Sequence, residues 1–355
     1  MRTDIRPGRS RPGRGRERAA WTLALLTTLC AQLTFSAVAV PFIWLLLPLL
    51  LVMYGAGVLL VREAVARAGG GWTSLVVLGL AYQVAEDGLG LQALTSPHMY
   101  GAADWGLRAL GINWTYWESQ IGVHVVLSVL LPVAITNLLF PRLRDQSYLR
   151  TGGFIVTGAL AVAGVLGLRV VISATEDPGN QTPWGWTVAY LLMIALLAWP
   201  ALRVLPRRRS PDRVRSDRRA PRPVVVGIVA GYLTMAFLTT LLPLGLGQDL
   251  LFGDMMSPPL RLFAGAMTAI PFGWLVLRWR RSGDWADRHR LWLIGGILVS
   301  HTAFMMPASA TSAVIGLITI CLEVVLLSVL GRHIRRPQPR RKIVGSAPPR
   351  PLNGS

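Results

Sequence analysis

Residues 71–94 read GWTSLVVLGLAYQVAEDGLGLQAL, and the interpretation of the whole chain starts from them. The stretch is long and apolar enough to cross a bilayer as an α-helix, which takes about 20 residues for about 30 Å of hydrocarbon. Two adjacent acids, Glu86 and Asp87, nevertheless lie inside it. Carboxylates at membrane depth are costly, so they are usually paired, turned toward the bundle interior or functional. The stretch therefore predicts a membrane-spanning fold and a polar site within it.

The composition of the remaining chain agrees with a membrane protein. Of the 355 residues 52% are apolar and 15% are charged, whereas a soluble domain carries about 25% charged residues. The apolar residues come in blocks of a length that suits membrane-spanning helices. The strands of a β-barrel would instead alternate apolar and polar residues over about ten positions. We therefore predict an all-α fold, a polytopic transmembrane helical bundle.

The apolar blocks predict about 10 transmembrane helices in two groups. Pro41 divides the first block, because proline breaks a helix and disfavours helical geometry in the residue before it. The predicted helices are 21–40, 42–66, 72–94, 120–140, 153–174, 186–205, 224–246, 260–278, 291–308 and 311–330. The predicted organisation is a disordered basic arm (1–19), helices 1–6 (20–205), a basic linker (206–222), helices 7–10 (223–330) and a disordered basic tail (331–355).

Basic residues set the predicted orientation. All but three of the 36 lie in the arm, the tail or alternate connections, the exceptions being Arg108, Arg169 and Arg261. Since positively charged connections stay in the cytoplasm, both termini are predicted to be cytoplasmic and the protein to lie in the plasma membrane. The net charge of +19 then indicates contact of Arg-rich cytoplasmic segments with anionic lipids of the bilayer. It does not indicate nucleic acid, and no protein partner is evident.

The segment between the third and fourth helices, residues 95–119, is rich in tryptophan and tyrosine. These side chains are enriched at the membrane–water interface. The motif WGLRALGI within it predicts a short interfacial or re-entrant helix on the outer side.

Polar side chains on three neighbouring helices are predicted to share one depth in the outer half of the membrane. Helical spacing places Gln83 on the face of Glu86, and places His124 and Ser128 on one face of the fourth helix. We predict a water-accessible pocket in which Glu86 or Asp87 binds a cation or a proton. Alternatively, each polar group is hydrogen-bonded to a neighbouring helix, and the Arg169 side chain extends to the membrane interface. The predicted solute- or ion-binding residues are Glu86, Asp87, His124, Arg169 (as counter-charge), Gln83 and Ser128.

A secondary polar group, His301 and Glu323, lies in the last two predicted helices and could extend a proton path. No catalytic residue, metal site or cofactor is predicted, because the sequence contains no HExxH, Walker, paired CxxC or GxSxG motif. The two cysteines, Cys30 and Cys321, lie in apolar blocks near opposite ends of the chain. Their spacing indicates neither a disulfide framework nor a metal site.

YGAGVLLVREAVARAGGGWTSLVVLGLAYQVAEDGLGLQAL, residues 54–94, resembles the opening of a bacterial multi-pass membrane protein family with no established activity. The resemblance covers helices two to four and ends with HVVLSVLLPVAITNLLFP, residues 124–141. In that family a second Glu commonly stands where Asp87 stands here. The resemblance implies a plasma-membrane location and no mechanism.

Two short motifs are also similar to the CPBP intramembrane proteases. That family uses a Glu-Glu pair followed by Arg on one helix, and His followed four residues later by a small polar residue on another. Glu86-Asp87 and His124 with Ser128 are similar to these two parts, but Leu91 stands where the Arg is expected and no FxxxH motif is present. This resemblance implies a membrane-embedded, metal-dependent hydrolase.

Three functional hypotheses follow. The first is a transporter- or permease-like protein for a small solute or ion, with an outward-facing polar site between helices 3–5. The second is a structural or partner subunit of a membrane complex without chemistry. The third is the metal-dependent hydrolase. We favour the first, because neither of the others requires so many polar groups at one depth.

Overall fold

The computed structural model describes residues 13–205, 219–247, 250–253 and 255–335. In this part of the chain nine helices are long and apolar enough to span a membrane, which confirms the all-α bundle and identifies a multi-pass membrane protein. The ten long helices are α1 (Gly13–Ala39), α2 (Ile43–Arg67), α3 (Trp72–Gln83 continuing through Val84–Gly90), α4 (Trp114–Leu139), α5 (Thr151–Thr175), α6 (Trp184–Val204), α7 (Pro223–Leu241), α8 (Pro258–Trp279), α9 (Asp287–Ala308) and α10 (Ala310–Arg335).

Of the ten predicted spans, only α3 is not among those nine helices. It is helical where the sequence predicted a helix, from Trp72 onward. It is less apolar than the others because Gln83, Glu86 and Asp87 fall within it. The polar residues that make α3 an unusual span are thus also the residues of the predicted site.

Both ends of the described chain are more helical than predicted. α1 already begins at Gly13, so residues 13–19 are helical and not disordered. Arginine is a good helix former, and the Arg16 guanidinium donates a hydrogen bond to the Gln146 side chain at 3.1 Å. At the other end α10 continues to Arg335, beyond the predicted end at 330. The predicted disorder of 1–12 and 336–355, and most of the basic linker (206–218), lie outside the described residues.

The WGLRALGI segment forms a β-hairpin, so the predicted helix there is wrong. β1 (Arg108–Ala109) pairs antiparallel with β2 (Ile112–Asn113). Between the strands, Leu110 and Gly111 have φ values of 54° and 79°. Positive φ at both central residues is what a type I′ hairpin turn requires. The hairpin replaces the helix because the two-residue turn lets the strands pair directly.

Hydrogen bonds hold the segment between α3 and α4 against the bundle. The Arg108 guanidinium donates to the carbonyl oxygens of Ser96 and Thr95 at 3.1 and 2.9 Å. The Asn113 amide donates to the Ser96 carbonyl at 2.7 Å, and the Ser96 hydroxyl bonds the Asp177 carboxylate in the loop after α5. This segment is therefore a packed part of the bundle and adjoins the predicted site.

Burial separates the central helices from the peripheral ones. Side chains of α1, α4, α7 and α9 form the largest apolar cluster. α5, α6, α8 and α10 expose most of their apolar side chains, as expected of helices that face lipid. α2 and α3 pack beside α4, which places the polar residues of α3 inside the bundle.

α7 and α9 approach each other through glycine. A Cβ atom on Gly296 of α9 would overlap the carbonyl oxygen of Gly227 on α7. Ser300, one turn further on α9, donates a hydrogen bond to the carbonyl of Gly231 at 2.9 Å. Small residues of this kind let membrane helices pack closely.

The predicted cytoplasmic end of α2 holds the loop before α5 in place. The Glu63 carboxylate accepts hydrogen bonds from the backbone N–H groups of Tyr148 and Leu149 at 2.7 and 3.2 Å. It also pairs with Arg62 at 2.6 Å, and the Arg62 guanidinium lies 3.4 Å from the centroid of the Tyr148 ring. Burial raises the pKa of the Tyr148 phenol, while the nearby Arg62 charge opposes this shift. Arg62 and Glu63 thus anchor a loop in addition to marking a helix end.

Candidate functional site

The structure brings three of the predicted site residues together between α3 and α4. The imidazole Nδ1 of His124 lies 3.1 Å from Oε2 of Glu86, and its Nε2 lies 3.3 Å from Oδ1 of Asp87. Glu86, Asp87 and His124 are 2%, 0% and 5% exposed. We call these three residues the acid–histidine cluster. Each ring nitrogen lies close to a different carboxylate, and the contact between Nδ1 and Glu86 is short but not aligned as a hydrogen bond. The whole arrangement is inside the protein.

Wide helical turns position the cluster. Both acids lie in the π-helical segment Val84–Gly90, and His124 lies in the π-helical segment Ile121–Leu130. The backbone N–H of Leu91 accordingly bonds the Glu86 carbonyl five residues earlier, at 2.7 Å. A π-helical turn changes the direction in which side chains leave the helix, and such turns occur frequently at functional sites. Here it lets two adjacent acids reach the same imidazole.

Tyrosines surround the cluster. The Tyr54 ring on α2 stacks on the His124 ring, with centroids 6.2 Å apart and planes inclined by 12°. The Tyr116 hydroxyl donates a hydrogen bond to Oδ1 of Asp87 at 3.2 Å. Tyr82 lies one turn before Glu86 on α3, and its buried hydroxyl has no well-aligned hydrogen bond. The acids are therefore lined by phenol groups, which can donate hydrogen bonds to carboxylates.

A glycine makes room for one of these tyrosines. A Cβ atom on Gly57 of α2 would overlap the edge of the Tyr82 ring. The close approach of α2 and α3 at this point thus depends on the missing side chain. Gly57 positions Tyr82 and does not itself contact the cluster.

Arg169 was predicted as the counter-charge, but it donates its hydrogen bonds elsewhere. Its guanidinium donates to the carbonyl oxygen of Leu89 at 3.2 Å and to the Gln181 side chain at 2.9 Å. The arginine therefore ties the end of α3 to the loop after α5. Its long side chain can reach such backbone acceptors, and no ion pair with Glu86 or Asp87 is found among the described residues.

Gln83 and Ser128 make hydrogen bonds beside the cluster. The Gln83 amide donates to the Trp117 carbonyl at 2.8 Å and so links α3 to α4. The Ser128 hydroxyl donates to the carbonyl of Val123, five residues earlier in its own helix, at 3.0 Å. α-Helical spacing predicted Ser128 on the face of His124. This hydroxyl is therefore used within its own helix, and the part of Ser128 in the site stays a prediction.

The secondary polar group is a separate network. The Thr302 hydroxyl of α9 lies 2.7 Å from Oε1 of Glu323 on α10 and 2.9 Å from the carbonyl of Thr34 on α1. His301 makes a contact of 2.9 Å between its Nδ1 and the carbonyl of Ile297 in its own helix. These groups lie on α1, α9 and α10, whereas the acid–histidine cluster lies on α3 and α4. A proton path between the two networks stays a prediction.

The charges of the cluster do not cancel when only its own protons are counted. With both carboxylates ionised and both ring nitrogens protonated, the three residues carry a net charge of −1. A neutral imidazole beside one protonated acid contains the same number of protons and has the same net charge. Only a third proton, or a bound cation, makes the cluster neutral. Both Oε atoms of Glu86 and Oδ2 of Asp87 are buried without a well-aligned hydrogen bond, so acceptor sites for that proton are present.

The ring geometry does not fit a metal centre. A metal ion bound to one imidazole nitrogen would lie close to the acid facing that nitrogen and on the opposite side of the ring from the other acid. Within the described ranges no group of three or more His, Cys, Asp or Glu residues is arranged to hold a metal ion. A metal ion bound to either ring nitrogen would therefore have only one of the two carboxylates within reach.

Sequence reasoning missed the roles of Tyr54 and Tyr116. Tyr116 lies in the segment 95–119, whose aromatic residues suit the membrane interface, and nothing in the sequence around Tyr54 indicates a contact with His124. Sequence position does not distinguish a tyrosine that contacts the cluster from one that anchors a helix in the interface.

No match is found to models of protein families, to curated proteins or to solved structures. The function must therefore be inferred from the site itself.

Proposed function

We propose that this protein is a transporter- or permease-like protein of the plasma membrane that moves a small solute or ion, using the acid–histidine cluster as an exchangeable proton- or cation-binding site. The observation that carries the proposal is the position of His124, with Glu86 at 3.1 Å and Asp87 at 3.3 Å on opposite nitrogens. Buried ionisable groups in membrane helices are costly and mark ion and proton pathways in transport proteins.

The charge of the cluster supports exchange of one positive charge. An uncompensated charge of −1 is unfavourable at membrane depth, so the buried cluster favours an additional proton or cation. When the site gains access to water, hydration stabilises the ionised form and the charge can leave. The cluster thus has two charge states whose balance depends on access to water, which is what coupling to a gradient requires.

Two contacts connect the cluster to segments on the predicted outer side. Tyr116, whose hydroxyl donates to Asp87, lies in the first turn of α4, directly after the hairpin. Arg169 joins the Leu89 carbonyl, three residues after Glu86 in α3, to Gln181 in the loop after α5. A displacement of these segments would open the cluster toward the predicted outer face. We propose this as the route by which the exchanged charge enters.

The experiment is a flux measurement in proteoliposomes that contain a pH-sensitive dye. An inward proton gradient and an imposed membrane potential supply the driving force, first alone and then with mixtures of amino acids, sugars and monovalent cations outside. The wild-type protein is expected to take up protons faster than empty liposomes under at least one condition. Glu86→Gln and Asp87→Asn are expected to abolish the difference. Glu323→Gln removes a buried acid outside the cluster and is expected to retain it.

Equal proton uptake by wild-type and Glu86→Gln proteoliposomes, at equal protein incorporation, would contradict the proposal. A loss that is the same for Glu86→Gln and Glu323→Gln would contradict a site confined to the acid–histidine cluster.

A structural or partner subunit without transport activity is the second candidate. It is favoured by the burial of all three cluster side chains, because a polar cluster without access to water can fix the packing of helices and have no other role. In that case cluster variants would lose stability, and purified wild-type protein would have no flux activity. The metal-dependent hydrolase gains no support, since the two acids face opposite nitrogens of one ring.

A further inference from the structure

A second polar site lies far along the chain from the acid–histidine cluster, where α8 ends. A cavity of about 530 Å³ opens there between the end of α8 and residues 219–221, which precede α7. Its polar lining consists of Arg219, Arg278, Arg281 and Ser282. Trp274, Leu275 and Leu277 contribute an apolar wall. We call it the arginine pocket.

The pocket has excess positive charge. Among the residues that the structure describes, none of the three arginines is paired with an acid. The nearest connection also contains Asp284 and Asp287, but Asp284 accepts the backbone N–H of Ala220 at 2.7 Å and Asp287 pairs with Arg290 at 2.6 Å. Three guanidinium groups outweigh the partial negative charge at the end of α8. The pocket therefore selects an anion.

The pocket is preformed. Trp279, which lines it, packs with Trp285 and Val226 in a compact apolar cluster. The Arg278 guanidinium lies 5.2 Å from the centroid of the Trp274 ring, a cation–π distance. The hydrogen bond from Ala220 to Asp284 holds the chain that carries Arg219 across the opening. The Arg278 side chain and the backbone next to Arg219 are thus restrained before an anion binds, and the three guanidinium groups stay exposed at the opening.

The location fits a lipid. The pocket lies at the end of a helix that is long and apolar enough to span the membrane, and tryptophans of this kind mark the interface between hydrocarbon and headgroups. Arg280 lies 5.1 Å from the centroid of the Trp72 ring at the start of α3. The end of α8 and the start of α3, which are predicted to lie on the same side of the membrane, are therefore neighbours. That side is the predicted cytoplasmic one, where anionic lipids attract clustered arginines.

We propose that the arginine pocket binds the phosphate of an anionic phospholipid headgroup, with Arg219, Arg278 and Arg281 contacting the phosphate and Trp274 and Leu277 contacting the start of the acyl chains. Arginine suits this role, because its guanidinium binds phosphate oxygens in pairs. The Ser282 hydroxyl can donate a further hydrogen bond. The site is independent of the proposed transport function.

The test uses native mass spectrometry of the purified full-length protein after delipidation. Phosphatidylglycerol, phosphatidylcholine and inorganic phosphate are added separately as probes. The pocket variant combines Arg278→Gln and Arg281→Gln. The control combines Arg288→Gln and Arg332→Gln, which removes the same charge from exposed positions at the same end of the bundle. Equal thermal unfolding of the two variants verifies that both are folded.

We expect the wild type to retain phosphatidylglycerol in preference to phosphatidylcholine. The pocket variant should bind it at least about tenfold more weakly, because it loses the charge-assisted hydrogen bonds of two arginines to the phosphate. The control should bind it as the wild type does. Equal weakening in both variants would show diffuse surface attraction and overturn the site. Retention of inorganic phosphate without phosphatidylglycerol would identify a soluble anion and overturn the lipid assignment.

Discussion

Replacing His124 with asparagine should destabilise the protein strongly, because it leaves two buried carboxylates without their shared partner. The imidazole lies 3.1 Å from Glu86 and 3.3 Å from Asp87. An imidazolium shares one unit charge between its two nitrogens, so at an effective dielectric constant near 20 each contact corresponds to about 2–3 kcal/mol before desolvation is subtracted. Removal of one partner from a buried pair usually costs about 3–5 kcal/mol. We expect His124→Asn to cost an amount in this range.

Neutralising one acid should recover part of the loss. In a His124→Asn background, Asp87→Asn removes one of the two facing charges. The double variant is therefore expected to be less destabilised than the sum of the single variants, with a coupling of about 1–3 kcal/mol. The assay is unfolding of the purified protein in mixed micelles, followed by tryptophan fluorescence as the denaturing detergent is increased.

His301→Asn is the matched control. His301 is also buried, and its Nδ1 contacts only the carbonyl of Ile297 in its own helix. We expect a smaller loss, about 1–3 kcal/mol for a disturbed buried hydrogen bond, that is additive with Asp87→Asn. The reasoning would be refuted if His124→Asn cost no more than His301→Asn, or if it were additive with Asp87→Asn.

The other predictions concern helix packing and the loop before α5. Gly296→Ala should destabilise the protein by about 1–3 kcal/mol, because the new Cβ would overlap backbone of α7 that cannot move. Gly273→Ala, with open space around its Cβ, should be neutral or stabilising in the same unfolding assay. Glu63→Gln should cost about 3–5 kcal/mol, because it leaves Arg62 as an unpaired buried charge, and limited proteolysis should then cut the loop before α5. The raised pKa of Tyr148 means that the folded state holds the phenol proton more tightly than the unfolded state, so stability is present below about pH 10 and falls above it. The stability curve of Tyr148→Phe should fall less steeply in that range; an identical slope would contradict the assignment.

Much of the fold could be predicted from the sequence because membrane-spanning helices have a simple signal. Blocks of apolar residues interrupted by arginine and proline placed all ten long helices, with ends that differ by a few residues. The larger differences have local causes. Residues 13–19 are helical because arginine is a good helix former. The hairpin depends on positive φ at Leu110, a conformation that leucine rarely adopts.

The meeting of Glu86, Asp87 and His124 was also predictable, since buried polar residues on neighbouring helices at one depth tend to find each other. The contacts of Arg169 were not, because a long side chain can reach a backbone carbonyl as well as a carboxylate. The π-helical turns of α3 and α4 were not predictable either, because they carry no distinct sequence signal, and they change the direction in which side chains leave the helix.

The most direct test of the central claim is whether the acid–histidine cluster takes up a proton. Infrared difference spectra of the purified protein, recorded between alkaline and acidic pH, report the C=O band of carboxyl groups as they become protonated. The account predicts a band in the wild type that is absent from both Glu86→Gln and Asp87→Asn, because the two acids share the proton, and that is retained in Glu323→Gln. Spectra in which both cluster variants keep every band of the wild type would contradict it.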